Sequence, residues 1–224
     1  MKKVFTLLLV AMMLLCFVAC NDDPPVATTH PHDTVAYVQS VLKSSVPTKA
    51  VTKSTYVIDD LTLTGSATLL VSRNGNIMDA KYEYRVEILN PAGTTDINGQ
   101  PQMIGVIEDV KYSKGDMVAS FDPETGDAIY SVYDVANKLG QLTLPSSGTV
   151  TVGTDGSVVF TSKVANADIA TVFGVAIDAV GDITYQVIIK NDRLVGFAAS
   201  YNTALGQMSV ETTYSYDKVS FDVK

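Results

Sequence analysis

The side chains able to do chemistry are few and unevenly placed. Both cysteines, Cys16 and Cys20, fall in the first twenty residues, and the two histidines are His30 and His32. Cys20 directly follows the small Ala19 at the end of an apolar run, where an exported chain is cut. His30-Pro31-His32 has two imidazoles that a metal could touch. They stand in a polar, proline-rich stretch without further ligands and read as solvated. From residue 33 onward there is neither histidine nor cysteine. That excludes Ser-His-Asp and Cys-His catalysis there, and zinc sites built on His and Cys. No glycine-rich phosphate loop is present, since Gly153-Thr154-Asp155-Gly156 reads as a hairpin turn.

Carboxylates remain, at Asp59 and Asp60, at Glu108 and Asp109, and at Asp122, Glu124 and Asp127. A glycosidase needs two such groups facing each other across a cleft, and no spacing here identifies a pair. Asp122, Glu124 and Asp127 do not follow the twelve-residue calcium loop and read as a solvated turn. The expectation is a protein that is not an enzyme, with no metal and no cofactor. Tyrosines are the other notable group. Tyr82, Tyr84, Tyr185, Tyr201, Tyr214 and Tyr216 stand on strand-like segments and combine an apolar body with a polar tip. They could line a cavity for an amphiphile, or form sheet core with hydroxyls at its rim.

The N-terminus explains the cysteine. Lys2 and Lys3 precede an almost unbroken apolar run from Val4 to Val18, too short and wrongly flanked for a lasting membrane span. Phe17-Val18-Ala19-Cys20 resembles the lipobox of bacterial lipoproteins, with Phe17 where leucine is usual. The resemblance implies that Cys20 takes a diacylglycerol on its sulfur and becomes the mature N-terminus. Two acyl chains, at about 0.8 kcal/mol per buried methylene, anchor stably. An ordinary secretory signal or an uncleaved anchor are the alternatives. Residues 1–19 are thus the leader and 20–32 the lipidated cysteine with a flexible tether. Asn21-Asp22-Asp23-Pro24-Pro25 lacks periodicity and cannot bury enough surface to order itself. Its acidic pair resembles signals that send lipoproteins to the outer face of some outer membranes. The location expected is the bacterial cell envelope, on the extracytoplasmic side.

Residues 33–224 fit one domain by length. Removal of Lys2 and Lys3 from 16 basic residues leaves 14 against 24 acidic ones, a formal −10. Such a chain repels nucleic acid and anionic headgroups, so no nucleic-acid role is expected. With no leftover cysteine, the fold must rest on burial alone. A monomer is expected.

The spacing of Val35, Val38, Val41 and Leu42 predicts a helix over 33–43, with Asp33 as N-cap and Pro47 beyond its end. Period-two alternation follows from Val57 to Val71, with a turn at Asn74-Gly75. The return strand puts Tyr82, Tyr84 and Val86 on one face and Lys81, Glu83 and Arg85 on the other. Further strands are predicted over 104–112, 117–121, 129–133, 149–152, 157–161 and 183–189. The last predicted ones begin at Val195, Met208 and Val219. Helical stretches are predicted over 134–142 and 166–173. The fold class expected is mainly β: a long antiparallel meander forming a curved half-barrel covered by two or three short helices. A closed barrel or a sandwich is the alternative.

The ending, ITYQVIIKNDRLVGFAASYNT and then MSVETTYSYDKVSFDVK, is similar to the closing strands of the LolA/LppX-like superfamily of envelope lipoproteins. The resemblance brings no catalytic motif. It implies a curved sheet closed by helices around an apolar cavity used to carry lipid or lipopeptide. Tyr82, Tyr84, Phe197 and Tyr201 are the residues expected to touch such a ligand. The alternatives are a surface interaction or envelope-scaffolding module with a filled core, and a carboxylate hydrolase.

Overall fold

The computed structural model describes residues 31–59, 61–74, 77–89, 95–99, 102–113, 144–165 and 179–222. The expected strands over 117–121 and 129–133 and the helical stretches over 134–142 and 166–173 lie outside these, as do Cys20 and Asp122. The fold is mainly β, a single open antiparallel sheet. Its strands are β1 (Lys49–Ile58), β2 (Leu61–Asn74), β3 (Ile77–Leu89), β4 (Met103–Ser113), β5 (Thr149–Val152), β6 (Val158–Val164), β7 (Val180–Lys190), β8 (Arg193–Asn202) and β9 (Gln207–Ser215). Their order is β4-β3-β2-β1-β9-β8-β7-β6-β5. Two meanders therefore meet where β1 pairs with β9, and β4 and β5 stand at the two ends of the described strands. A sheet of this order is neither a closed barrel nor a two-sheet sandwich.

Among the described residues, one helix, α1 (Val35–Ser44), precedes the sheet. Its cap is Thr34, not Asp33: the Thr34 hydroxyl accepts from the Tyr37 amide at 3.1 Å. A capping oxygen in that place satisfies one of the amides the first turn leaves open. Tyr37, Val38, Val41 and Leu42 form its buried stripe, which packs towards β6, β7 and β8.

Each strand buries alternate residues, so the sheet has one inner face and one wet face. On β9, Met208, Val210, Thr212 and Tyr214 are buried while Gln207, Ser209, Glu211 and Thr213 are exposed. Tyr82 and Val86 point inward as the alternation predicts, with Arg85 outward. Strand β1 was not legible as alternation. Its inward residues are Ala50, Thr52, Ser54 and Tyr56, small or hydroxylated, so they do not stand out from Val51 and Val57 on the wet face. The predicted single strand from Val57 is in fact the hairpin of β1 and β2, turning at Asp59, whose φ is +49°.

Two other departures have local causes. Register shifts where Ile188 opposes Gly196 and Ile189 opposes Leu194, so Val195 is the extra residue of a bulge. The bulge lets Leu194 and Phe197 both face inward and breaks the predicted Val195–Phe197 alternation. After Ser215 no further strand forms over residues 216–222. There the Tyr216 hydroxyl donates to the Leu194 carbonyl at 2.8 Å and Arg193 lies over its ring. These contacts tie the tail back across β8 in place of a ladder.

The alternation makes a direct test. Phe160 is fully buried, with its ring 5.9 Å from that of Tyr185. Phe160→Ala should cost about 3–5 kcal/mol in urea unfolding. Lys163→Ala, on the exposed face of the same strand, should stay within about 0.5 kcal/mol. Comparable losses from the two would show that β6 had been assigned the wrong faces.

Candidate functional site

Strand register decides which inward side chains are neighbours. One row crosses the sheet as Tyr84, Ala67, Thr52, Thr212, Phe197, Val187 and Phe160. The next runs Val86, Gly65, Ser54, Val210, Ala199, Tyr185 and Ser162. A third runs Ile88, Leu63, Tyr56, Met208 and Tyr201. The centre of the inner face is thus a floor of small residues: Ala67, Thr52, Gly65 and Ser54. Aromatic side chains stand around it.

The four residues singled out from the sequence fall into two groups on opposite sides of this floor. Tyr82 and Tyr84 are on β3 with ring centroids 5.9 Å apart. Phe197 and Tyr201 are on β8. Three strands, β2, β1 and β9, separate the groups, or about 19 Å from β3 to β8 at the usual strand spacing. Tyr84 and Phe197 share a row, so they face each other across Ala67, Thr52 and Thr212. Tyr82, Phe197 and Tyr201 are buried, and Tyr84 is half-buried. The ring of Phe197 stacks on Tyr185 at 6.0 Å.

Hydroxyl groups thread this apolar setting. Thr52 Oγ1 and Thr212 Oγ1 share a hydrogen bond of 2.9 Å, and the Tyr56 hydroxyl one of 2.6 Å with Thr203 Oγ1. Ser54 lies between them on β1. Its Oγ is buried and has no hydrogen-bond partner among the described residues. Reasoning from the sequence missed Thr52 and Ser54 because it did not see β1, and so it had no partner to give Thr212 on β9.

Glu108 and Asp109 do not face each other as a pair. Glu108 and Asp109 are successive on β4 and point to opposite faces. Glu108 is bridged to Arg85 at 2.6 Å, and Asp109 accepts from the Val110 amide at 2.8 Å. Asp59 sits in a turn. Among the described residues, no group of three His, Cys, Asp or Glu side chains could hold a metal ion. His32 is not loose: its ring stacks on Tyr37 at 4.5 Å and its Nε2 lies 3.8 Å from Asp192. The Tyr37 hydroxyl donates to the same carboxylate at 2.8 Å. The end of the predicted tether is thereby held against the turn between β7 and β8. No helix among the described residues is long and apolar enough to cross a membrane.

No family profile matches the chain, and no curated protein matches it. Among solved structures, the dehydratase domain from the CurH module of curacin polyketide synthase is similar over 83% of each chain. Identity is 10% and the TM-score 0.17, too low to argue from.

The tyrosines predict a pH response. Burial pushes the Tyr185 phenol up to about 12, while its hydrogen bond with Ser162 pulls the other way. Tyr37, Tyr84, Tyr201 and Tyr216 are raised as well, in each case first by burial. A raised value means that the fold favours the neutral phenol. That contribution is complete below the ordinary value of 10.0 and is lost as pH rises through about 12. Urea midpoints should therefore fall between about pH 10 and about pH 12, and the fall should be shallower in Tyr185→Phe. An unchanged slope in that variant would mean that Tyr185 ionises without opposing the fold.

Proposed function

We propose that this chain is an envelope lipoprotein, acylated on Cys20, which holds an apolar or amphiphilic molecule against the inner face of its sheet. The observation that supports the reading is the small-residue floor flanked by Tyr84 on one side and Phe197 on the other. Tyr82 and Tyr201 extend these two walls. Small side chains at Gly65, Ala67, Thr52 and Ser54 between aromatic walls are the pattern that an apolar guest would need, since apolar recesses take apolar guests. The leader, the small Ala19 and the tether support attachment to a membrane. The absence of His and Cys after residue 32 speaks for binding rather than for nucleophilic chemistry.

A second reading is a surface interaction module. It is favoured by β4, the end strand among those described, where Met103, Val106, Ile107 and Val110 are 37–49% exposed. Unpaired strand edges with apolar side chains invite a partner.

Two measurements test the proposal. Cys20→Ser should leave an unprocessed precursor without added lipid mass, read by mass spectrometry of the membrane fraction. Acylation and normal maturation of that variant would refute the anchor. Organic extracts of the purified protein should contain a bound apolar or amphiphilic molecule. Ala199→Phe, which enlarges an inward residue beside the floor, should abolish it while circular dichroism stays unchanged. Extracts that are empty for both proteins would move the reading to the surface module.

A further inference from the structure

Strand β1 turns three hydroxylated side chains inward in succession: Thr52, Ser54 and Tyr56. The outer two are paired, with Thr212 and Thr203. The middle one, 3% exposed, has no partner among the described residues. A buried hydroxyl left unpaired is destabilising, and alanine in its place would avoid that cost. Ser54 also occupies the middle of the floor, with Gly65 on one side and Val210 on the other. Its hydroxyl is thus a buried donor at the middle of the floor with no partner among the described residues.

The charge around it narrows the chemistry. None of the inward residues in the three central rows, from β3 to β6, is charged. The carboxylate nearest in register is Asp109, opposite Tyr84 at the β4 edge. Its negative charge is one of the causes that raise the Tyr84 phenol. A carboxylate or phosphate laid on this floor would be desolvated with no cation in these rows to offset it, and repelled from that side. A neutral carbonyl oxygen would accept from Ser54 at no such cost.

We propose that Ser54 is a specificity-determining residue whose hydroxyl donates to the carbonyl of a neutral acyl ester or amide. The hydrocarbon of that ligand lies between Tyr84 and Phe197. The proposal rests on the inner-face ligand reading above and adds to it the polar group that is selected. Free fatty acids and plain hydrocarbons are then poor ligands, the first for their charge and the second for leaving Ser54 unpaired.

The test uses the complete chain with Cys20→Ser, so that no acyl group of its own competes. Three diazirine probes of one chain length are compared: a glycerol monoester, the free acid at about pH 8 and the plain hydrocarbon. Labelled peptides are located by mass spectrometry. The ester should label peptides of β1, β2 and β8 about tenfold more than either other probe, the factor that one well-made hydrogen bond supplies. Ser54→Ala should lower ester labelling about tenfold and leave hydrocarbon labelling unchanged. The same variant, freed of an orphan hydroxyl, should melt no lower than its parent. Ester labelling that survives Ser54→Ala, or acid labelling equal to ester labelling, overturns the role of Ser54 and leaves the ligand reading standing. Failure of all three probes to label inner-face peptides overturns the ligand reading and the Ser54 proposal together.

Discussion

Everything on the inner face depends on the ladder between β1 and β9. It runs from Lys49 opposite Ser215 to Val57 opposite Gln207. Extra bonds secure its end: Thr48 donates its amide to the Ser215 carbonyl at 2.9 Å, and its own carbonyl accepts from the Val71 amide at 2.8 Å. Inside, the Thr52–Thr212 hydroxyl pair crosses the seam. Without this ladder the sheet would be two meanders, each with one more open edge. The small-residue floor would then lie on one piece and the Phe197 wall on the other.

That seam is also where the sequence was hardest to read. Alternation is visible when large apolar residues alternate with polar ones, as in Ile183, Tyr185, Val187 and Ile189 on β7. Strand β1 hides its phase because its buried hydroxyls are satisfied by partners far along the chain, Thr52 by Thr212 and Tyr56 by Thr203. No local pattern reports a bond made across 160 residues. The order of the sheet was illegible for the same reason. Short turns such as Asn191-Asp192 announce neighbours, and both of these residues have positive φ. A pairing between the first strand and the last has no turn to announce it.

The candidate site was partly legible. Tyr82, Tyr84, Phe197 and Tyr201 were found as aromatic residues on strands, and each lies on the inner face. What could not be seen was their division into two walls, which register alone decides. Ser54 was invisible because serine in a strand usually faces water. Its meaning comes from Gly65 and Val210 beside it, and from the paired hydroxyls two residues away on either side. Glu108 and Asp109 show the opposite case: they are neighbours in sequence, and strand alternation sends them to opposite faces.

Placing the first and last strands together at the centre carries a consequence for how the molecule comes to be. Each wing can assemble from hairpins between neighbours, but the seam must wait for β9 to become available. Non-local pairing of this kind makes folding slow, because a long loop has to close before any contact offsets the entropy lost. A chain emerging from the ribosome therefore cannot complete the sheet until its final strand has been made, even where its hairpins have already paired. Until then the two wings are separate pieces, and the inner face is not one continuous surface.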